Sequence, residues 1–263
     1  MTAAHTPQPE PGDRPVGMVV DGVETQAQVD GRLVEETLLP ALSAMATRPR
    51  SRRRAFAFLI GPPGVGKSTL AAAVAHRARR GQPEPLEVAA LGIDGFHHPN
   101  AYLSTHHLRT DTGSVRLSAV KGAPETFDVA SLTQHVQALA AGRDVVWPTY
   151  DRSIHDVVPG TEPVSAGVVL LEGNWLLLDE PGWRDLATYA DYVIYLTADP
   201  ELLRERLIRR KVRGGLSPAA AADFYESSDR LNVERVIAAS DLSKVDLVLN
   251  VQADGTINQG ELR

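Results

Sequence analysis

The stretch AFAFLIGPPGVGKST, residues 55–69, decides how this chain folds. Its first part, Ala55–Ile60, is a short apolar run of the kind that forms a strand buried in a parallel sheet. Gly61–Thr69 follows at once and matches the pattern G-x-x-x-x-G-K-S/T, and a helix-favouring segment, STLAAAVAHRARR, continues from it. Glycines allow positive φ and close backbone approach, so successive N–H groups can wrap a phosphate while the helix directs its positive N-terminal end at the same anion. The stretch therefore predicts a strand, a loop and a helix that bind a nucleoside triphosphate.

Two side chains of this loop have predicted roles. Lys67 should reach the β- and γ-phosphates, and the Ser68 hydroxyl should bind Mg²⁺. A guanine-specific GTPase would need an Asn-Lys-x-Asp element just after a late strand, but the nearest match, Ser243–Asp246, precedes a strand and has the wrong first residue. We therefore expect ATP and Mg²⁺ as cofactors. The loop residues expected to hold the nucleotide are Gly61, Gly64, Val65, Gly66, Lys67, Ser68 and Thr69.

Outside this stretch, apolar runs of strand length alternate with helix-favouring segments. The further predicted strands cover residues 86–93, 144–148, 167–173, 190–199 and 244–251. Strands that alternate with helices predict an α/β fold with a parallel central sheet covered on both faces.

The chain divides into a tail and one domain. Residues 1–22 are polar and proline-rich, so we expect a flexible tail. Residues 23–47 have apolar side chains at helical spacing and predict an amphipathic helix interrupted near Pro40. With the core at 55–254, we expect a single domain over 23–263.

Composition narrows the class of protein. The chain has 263 residues, a net charge of −6, 43% hydrophobic residues and no cysteine. The negative charge argues against a nucleic-acid partner, and the lack of cysteine excludes disulfides and thiolate metal sites. No apolar run approaches the roughly 20 residues that span a bilayer, so we expect no membrane partner and a cytoplasmic protein. The sequence leaves the oligomeric state open, and a homodimer is compatible with it.

Two carboxylates end predicted strands. Asp94 follows the strand in VAALGIDGFHHPN, and Glu172 ends VVLLEG. Open α/β sheets bind their ligands at the carboxyl ends of their strands. A carboxylate at that edge can hold Mg²⁺ through water, which is the role we expect for Glu172.

Five blocks of sequence occur in an order that resembles a known family: GPPGVGKST, DGFHHPN, KGAPETFD, YDRSIHDVVPG and LEGNWLLLD. The chain resembles the phosphoribulokinase/uridine kinase family of P-loop kinases over residues 55–254. Within it, the pattern is most similar to type I pantothenate kinases and to nucleoside/nucleotide kinase-like proteins labelled fructose-transport kinases. The resemblance implies a P-loop NTPase three-layer sandwich with a mainly parallel sheet and a helical lid.

The resemblance also implies the catalytic base. Asp94 occupies the place of the aspartate that takes the proton from the substrate hydroxyl, and its strand is expected beside the strand that leads into the phosphate loop. Gly95 is expected to let the acceptor approach, and Phe96 to keep water out.

For the acceptor site, the resemblance points to YDRSIHD. Tyr150 and His155 match the Tyr and His of the uridine kinase block YDFxxHxR. Arg152 departs from that block, and it could pair with a carboxylate or phosphate of the acceptor or with Asp151. Lys121 could face the acceptor or form a salt bridge within its loop.

One departure bears on the substrate. Gly122 stands where uridine kinases have an acidic residue, which weakens the case for uridine and favours a pantothenate-kinase-like acceptor. Asp229 and Asn232 resemble residues near the acceptor, and Asp254 lies where relatives contact adenine, largely through the backbone.

The segment ELLRERLIRRKVRGG resembles the lid arm of these kinases. Arg206, Arg210 and Arg213 fall on one helix face, and the first two are expected to stabilise the transferring phosphoryl group. Gly214-Gly215 is a candidate hinge. We expect a solvated basic face for Arg204, Arg209 and Lys211.

The sequence therefore predicts an ATP-dependent kinase that phosphorylates a hydroxyl of a small polar metabolite. A nucleoside, a pantothenate-like acid and a sugar are the candidates. The alternative is a nucleotide-switched regulatory ATPase without a small-molecule acceptor. A switch needs a positioned water but no hydroxyl base, so Asp94 and the acceptor block favour the kinase.

Overall fold

The computed structural model describes residues 16–20, 23–27, 29–81, 84–110 and 113–262, with the backbone alone described for 16–27. Its strands are β1 Val16–Val20, β2 Val23–Ala27, β3 Ala55–Ile60, β4 Val88–Gly92, β5 His107–Thr110, β6 Gly113–Arg116, β7 Val145–Val146, β8 Thr149–Asp151, β9 Asp156–Val158, β10 Pro163–Val164, β11 Val168–Gly173, β12 Tyr192–Ala198, β13 Leu247–Val251 and β14 Ile257–Gln259. Its helices are α1 Leu39–Thr47, α2 Lys67–Ala78, α3 Asn100–Leu103, α4 Val129–Ala140, α5 Pro200–Arg213, α6 Pro218–Phe224 and α7 Arg230–Ala239.

The central sheet has the strand order β14-β13-β12-β3-β11-β4. All neighbouring pairs are parallel except β13 with β14, which confirms the mainly parallel sheet. β3 and β11 are buried along their whole length, as their continuous apolar sequences predict for strands covered on both faces.

Helices cover the sheet on both sides, giving three layers. Alternate residues of β3 divide between two cores: Ala55, Ala57 and Leu59 pack on the side of α1 and α2, whereas Phe56, Phe58 and Ile60 pack on the side of α4. This arrangement holds the end of β3, and the loop that follows it, rigidly at the carboxyl edge of the sheet.

The predicted strand at residues 144–148 is not part of this sheet, so that prediction was wrong. Only Val145–Val146 is a strand, and it pairs antiparallel with β10 in a separate two-stranded ribbon. Trp147 turns inward next, and its indole Nε1 donates to the carbonyl oxygen of Gly92 across 2.9 Å. The segment therefore crosses the carboxyl end of β4 instead of extending the sheet.

The N-terminal prediction also needs correction. Residues 23–27, predicted as the start of the helix, form a strand instead. This strand pairs with β1, which lies in the predicted tail, and the helix begins only at residue 31. It continues to Thr47 without a break at Pro40. A π-helical segment, Leu33–Leu38, precedes α1, and its wider hydrogen-bond spacing accommodates a proline that lacks an N–H donor.

Candidate active site

The phosphate loop lies between the end of β3 and the start of α2, as predicted. Gly66 has φ 108°, a conformation that side-chain-bearing residues rarely adopt. Gly61 is required for a different reason, because a Cβ there would lie 2.2 Å from the carbonyl oxygen of Leu196 on β12. The glycines thus let the loop fold tightly against the neighbouring strand.

Lys67 is buried at the start of α2, and its ammonium is bound by the protein. It donates to the carbonyl oxygens of Gly61 and Pro62 at 2.9 and 3.1 Å, and to Oδ1 of Asn174 at 2.6 Å. We did not predict a role for Asn174. Its position directly after the Glu172-Gly173 end of β11 is the signal that could have identified it.

Burial also changes the titration of Lys67. Loss of solvent lowers the pKa of its ammonium to about 8, while the negative charges of Glu172 and Asp94 act in the opposite direction. The same interactions place both predicted carboxylates within electrostatic range of this ammonium. The fold therefore brings together the lysine, the expected metal carboxylate and the expected base.

Ser68 and Glu172 form the candidate metal site. The Ser68 hydroxyl donates to Oε1 of Glu172 across 2.7 Å, and Glu172 is buried. Hydroxyl and carboxylate oxygens are ligands that Mg²⁺ accepts in proteins. In the described part of the chain, His, Cys, Asp and Glu side chains form no metal-binding cluster of three or more. An Mg²⁺ ion here could take its remaining ligands from phosphate and water, as Mg²⁺ commonly does.

Asp94 lies in a 3-10 turn, Ile93–Phe96, immediately after β4. One detail of the prediction was wrong: β4 is not beside β3, because β11 lies between them. The half-buried carboxylate opposes the burial that lowers the pKa of Lys67 and adds to the burial that raises the pKa of Tyr150, so it is close to both the phosphate loop and the predicted acceptor block.

Close packing against the backbone explains why the residue after Asp94 is a glycine. A Cβ on Gly95 would lie 2.1 Å from the carbonyl oxygen of Pro148, so glycine allows the close crossing of the 147–149 backbone. Phe96 is buried and packs edge-on against Trp147 at 4.8 Å between ring centroids. These contacts fix the shape of the turn that carries Asp94.

Tyr150 and Lys121 line one side of the space near Asp94. The Lys121 ammonium lies 4.9 Å from the centre of the Tyr150 ring, and it donates to Oδ1 of Asn100 and to the carbonyl oxygen of His155. Burial raises the pKa of Tyr150 to about 12, so its hydroxyl stays protonated and can donate a hydrogen bond.

His155 and Arg152 occupy the turn between β8 and β9. His155 has φ 54° and an exposed side chain, so its backbone carbonyl, not its imidazole, joins the network around Lys121. The positive charge of Arg152 adds to the burial that lowers the pKa of Lys67, which places this side chain within electrostatic range of the phosphate loop.

The arm α5 packs on the phosphate loop. Leu203 and Leu207 are buried, and a Cβ on Gly64 would lie 3.0 Å from Cγ of Leu207. Arg206 Nη1 donates to the carbonyl oxygen of Val65 across 3.4 Å. Arg210 is exposed, and its charge lowers the pKa of Lys67. The structure thus brings both predicted lid arginines to the nucleotide end of the site.

The predicted basic face of α5 is only partly solvated. Arg204 and Arg209 pair with Glu201 and Glu205 at 3.2 and 3.8 Å. Lys211 differs from the prediction, because its ammonium lies 3.6 Å from the centre of the Phe224 ring and burial lowers its pKa.

After α5, the chain passes back to the neighbourhood of Gly122, next to the predicted acceptor residue Lys121. Asp229 and Asn232 are buried, and burial raises the pKa of Asp229. A Cβ on Gly122 would lie 3.3 Å from Nδ2 of Asn232, while the Gly122 carbonyl accepts from the indole of Trp175 at 3.0 Å. This crowding, together with the φ of 107° at Gly122, favours glycine at this position.

Asp254 lies in the turn between β13 and β14. Its Oδ1 accepts hydrogen bonds from the backbone N–H and the hydroxyl of Thr256 at 2.9 and 2.7 Å. The side chain stabilises the turn, which leaves any contact with adenine to the backbone.

The fold and this set of side chains define a P-loop phosphotransferase. Residues 58–257 match the Phosphoribulokinase / Uridine kinase family. The chain belongs to this family, and it is an ATP-dependent enzyme that transfers phosphate to an alcohol group. No helix among the described residues is long and apolar enough to span a membrane.

The chain is also similar to individual proteins. The Escherichia coli protein YggC is 40% identical over 91% of this chain and 97% of its own. The pantothenate kinase of Sodalis glossinidius is 31% identical over 70% of this chain and 58% of its own. The crystal structure of a candidate fructose transport system kinase from Silicibacter sp. TM1040 has a TM-score of 0.66 and 32% identity, covering 78% of this chain and 95% of that one.

Proposed function

We propose that this enzyme transfers the γ-phosphate of ATP, bound with Mg²⁺, to a hydroxyl group of a small polar metabolite. A nucleoside, a pantothenate-like acid and a sugar remain the candidate acceptors. The observation that carries the proposal is the position of Asp94, at the carboxyl edge of the sheet and within electrostatic range of Lys67 and Tyr150.

In this mechanism Lys67 and the loop amides bind the β- and γ-phosphates. Ser68 and Glu172 would hold Mg²⁺, which would supply positive charge that neutralises the phosphates. Asp94 takes the proton from the acceptor hydroxyl as that oxygen attacks the γ-phosphorus. The bond from the γ-phosphorus to the oxygen that bridges it to the β-phosphate breaks in the same transfer, and ADP leaves. Arg206 and Arg210 stabilise the negative charge of the transferring group, and the Tyr150 hydroxyl orients the acceptor. The glycines at 214 and 215, which end α5, serve as the hinge of the arm.

The substitution Asp94→Asn tests the proposal because it preserves shape while it removes basicity. We expect kcat for phosphate transfer to fall about 10²–10⁴-fold, the usual contribution of a positioned proton acceptor. The Kd for MgATP, measured by calorimetry, should remain within about twofold because Lys67 and Ser68 are unchanged.

Asp241→Asn provides a matched control, since its carboxylate is bound within its own turn by Ser243. It should retain kcat. Near-normal turnover of the Asp94→Asn protein would show that Asp94 does not act as the base, and it would favour the regulatory ATPase instead.

A further inference from the structure

All three donors of the Lys67 ammonium are in use in this structure. An ammonium carries three N–H groups, and here they reach the carbonyl oxygens of Gly61 and Pro62 and the side-chain oxygen of Asn174. The contact with Asn174 is the shortest of the three, at 2.6 Å, and it is the one that a side chain makes. A phosphate that binds Lys67 must therefore replace at least one of these acceptors.

Asn174 is the acceptor that can be exchanged. Gly61 and Pro62 offer backbone oxygens of the phosphate loop, which packs tightly against β12 at Gly61. Asn174 offers a half-buried side chain, which can rotate without a change in the backbone. A phosphate oxygen carries negative charge and accepts a hydrogen bond more strongly than a neutral amide does. A phosphate would therefore take the Lys67 donor from Asn174.

The backbone of Asn174 is held by its two neighbours. A Cβ on Gly173 would lie 2.4 Å from Cδ1 of Ile93, so Gly173 packs directly against that side chain. Trp175 is fully buried, and its indole Nε1 donates to the carbonyl oxygen of Gly122 across 3.0 Å. Asn174 therefore responds to a ligand through its side chain, from a fixed position.

The amide nitrogen of Asn174 can donate to a ligand. Because an ammonium can only donate, the amide must present its oxygen to Lys67, which turns its nitrogen the other way. Among the residues that the structure describes, this nitrogen makes no hydrogen bond, and it is not one of the polar atoms buried without a partner. Its two N–H groups therefore face solvent, beside the ammonium that meets the phosphates.

The strand order places Asn174 on the path of the transferred phosphate. β11 lies between β3, which leads into the phosphate loop, and β4, which leads into the turn that carries Asp94. Asn174 directly follows β11, whose last residue, Gly173, pairs with Ile60 at the end of β3. A γ-phosphate that moves from the loop to an acceptor beside Asp94 therefore crosses the end of β11, next to Asn174.

We propose that Asn174 recognises the γ-phosphate: the phosphate takes the Lys67 donor that Asn174 holds in this structure, and the released amide donates to the same phosphate from Nδ2. This proposal rests on the proposed kinase function and adds a residue to its nucleotide site. Asn174 thereby distinguishes ATP from ADP, because ADP has no γ-phosphate to accept that hydrogen bond.

The affinities for two nucleotides test this role without any acceptor. Calorimetry in the presence of Mg²⁺ gives the Kd of ADP and of AMP-PNP, an ATP analogue that retains the γ-phosphate. Asn174→Ala removes the amide, so we expect the ratio of the Kd for ADP to the Kd for AMP-PNP to fall at least about 10-fold, as loss of a charge-assisted hydrogen bond implies. A change that Lys67 undergoes before binding is common to both nucleotides and cancels in the ratio.

Asn174→Asp separates the roles of the two amide atoms. It keeps an oxygen for Lys67 but places a carboxylate where the phosphate needs a donor, so the ratio should fall further than in Asn174→Ala. Asn258→Ala is the matched control and should keep the wild-type ratio. Asn258 is exposed on β14, which lies three strands from β3.

A wild-type ratio in both Asn174 variants would overturn the γ-phosphate role. Equal weakening of ADP and AMP-PNP would overturn it as well, because it would show that Asn174 only supports the shape of the loop. The kinase function stands in both cases, since the wild type still binds both nucleotides. A wild-type protein that binds neither nucleotide would refute the kinase function and, with it, this proposal.

Discussion

The hydroxyl of Ser68 donates to Oε1 of Glu172 across 2.7 Å, which joins the first turn of α2 to the end of β11. The sheet explains this contact, because β11 pairs in parallel with β3 and Glu172 lies opposite Leu59, just before the phosphate loop. A carboxylate 104 positions away in sequence thus lies beside the loop serine.

The substitution Glu172→Gln tests whether this pair binds the metal. The amide can still accept from Ser68 but lacks the charge that attracts Mg²⁺. We expect the Mg²⁺ concentration for half-maximal activity to rise about 10–100-fold, the usual effect of losing a residue that supports a metal site. Titration of activity with Mg²⁺ at fixed ATP measures this. Glu205→Gln, an exposed residue of α5, should leave the Mg²⁺ requirement unchanged, and an unchanged requirement in Glu172→Gln would refute the metal role.

Lys67 should take up protons when the nucleotide binds. In the protein without nucleotide its pKa is about 8, so about half of these side chains are neutral at pH 8. Contact with phosphate favours the charged form and raises the pKa, so binding at pH 8 should take up about half a proton per site. The uptake should shrink toward zero as the pH falls well below 8, because the lysine is then already charged.

Calorimetry in two buffers of different ionisation enthalpy measures this uptake. Lys67→Arg is the matched control, since its guanidinium stays charged throughout and its uptake should be smaller by about half a proton at pH 8. Equal uptake by the two proteins would show that Lys67 does not change its protonation.

The lid arginines should matter more for turnover than for folding. Arg206→Ala or Arg210→Ala should lower kcat about 10²–10³-fold, the usual effect of removing one donor to a transition-state anion. The melting temperature should fall little, because the hydrogen bond of Arg206 to the Val65 carbonyl is long, at 3.4 Å, and Arg210 is exposed. Arg209→Ala on the same helix is the control. A large fall in melting temperature with intact kcat would show that the two arginines stabilise the fold and not the transition state.

Gly95→Ala should destabilise the fold. Its Cβ would overlap the carbonyl oxygen of Pro148, which is backbone and cannot move aside cheaply. We expect a loss of about 1–3 kcal/mol or more in the free energy of unfolding, as for other overpacked sites. Gly167→Ala is the control, since no atom lies within 4 Å of its Cβ position. Urea denaturation measures the free energy of unfolding of both variants. Equal values for the two would mean that the 147–149 backbone does not pack tightly against Gly95.

The sequence by itself determined the phosphate loop and its flanking strand and helix. These elements are contiguous in the chain, and their conformation depends on local preferences: the apolar run of Ala55–Ile60, the glycines, and the helix formers after Ser68. The same local reasoning failed at residues 23–27, where pairing with β1 prevailed over an apparent helical period.

Only the tertiary structure decided which distant residues meet at this loop. The order of the sheet places β11 between β3 and β4, so Glu172 meets Ser68, and Asn174 reaches Lys67 from 107 positions away. The crossing of Pro148 behind Gly95, and the use of the carbonyl of His155 in place of its imidazole, likewise depend on how separate segments pack. Such contacts arise from strand order and packing of elements far apart in the chain, and no local periodicity encodes them.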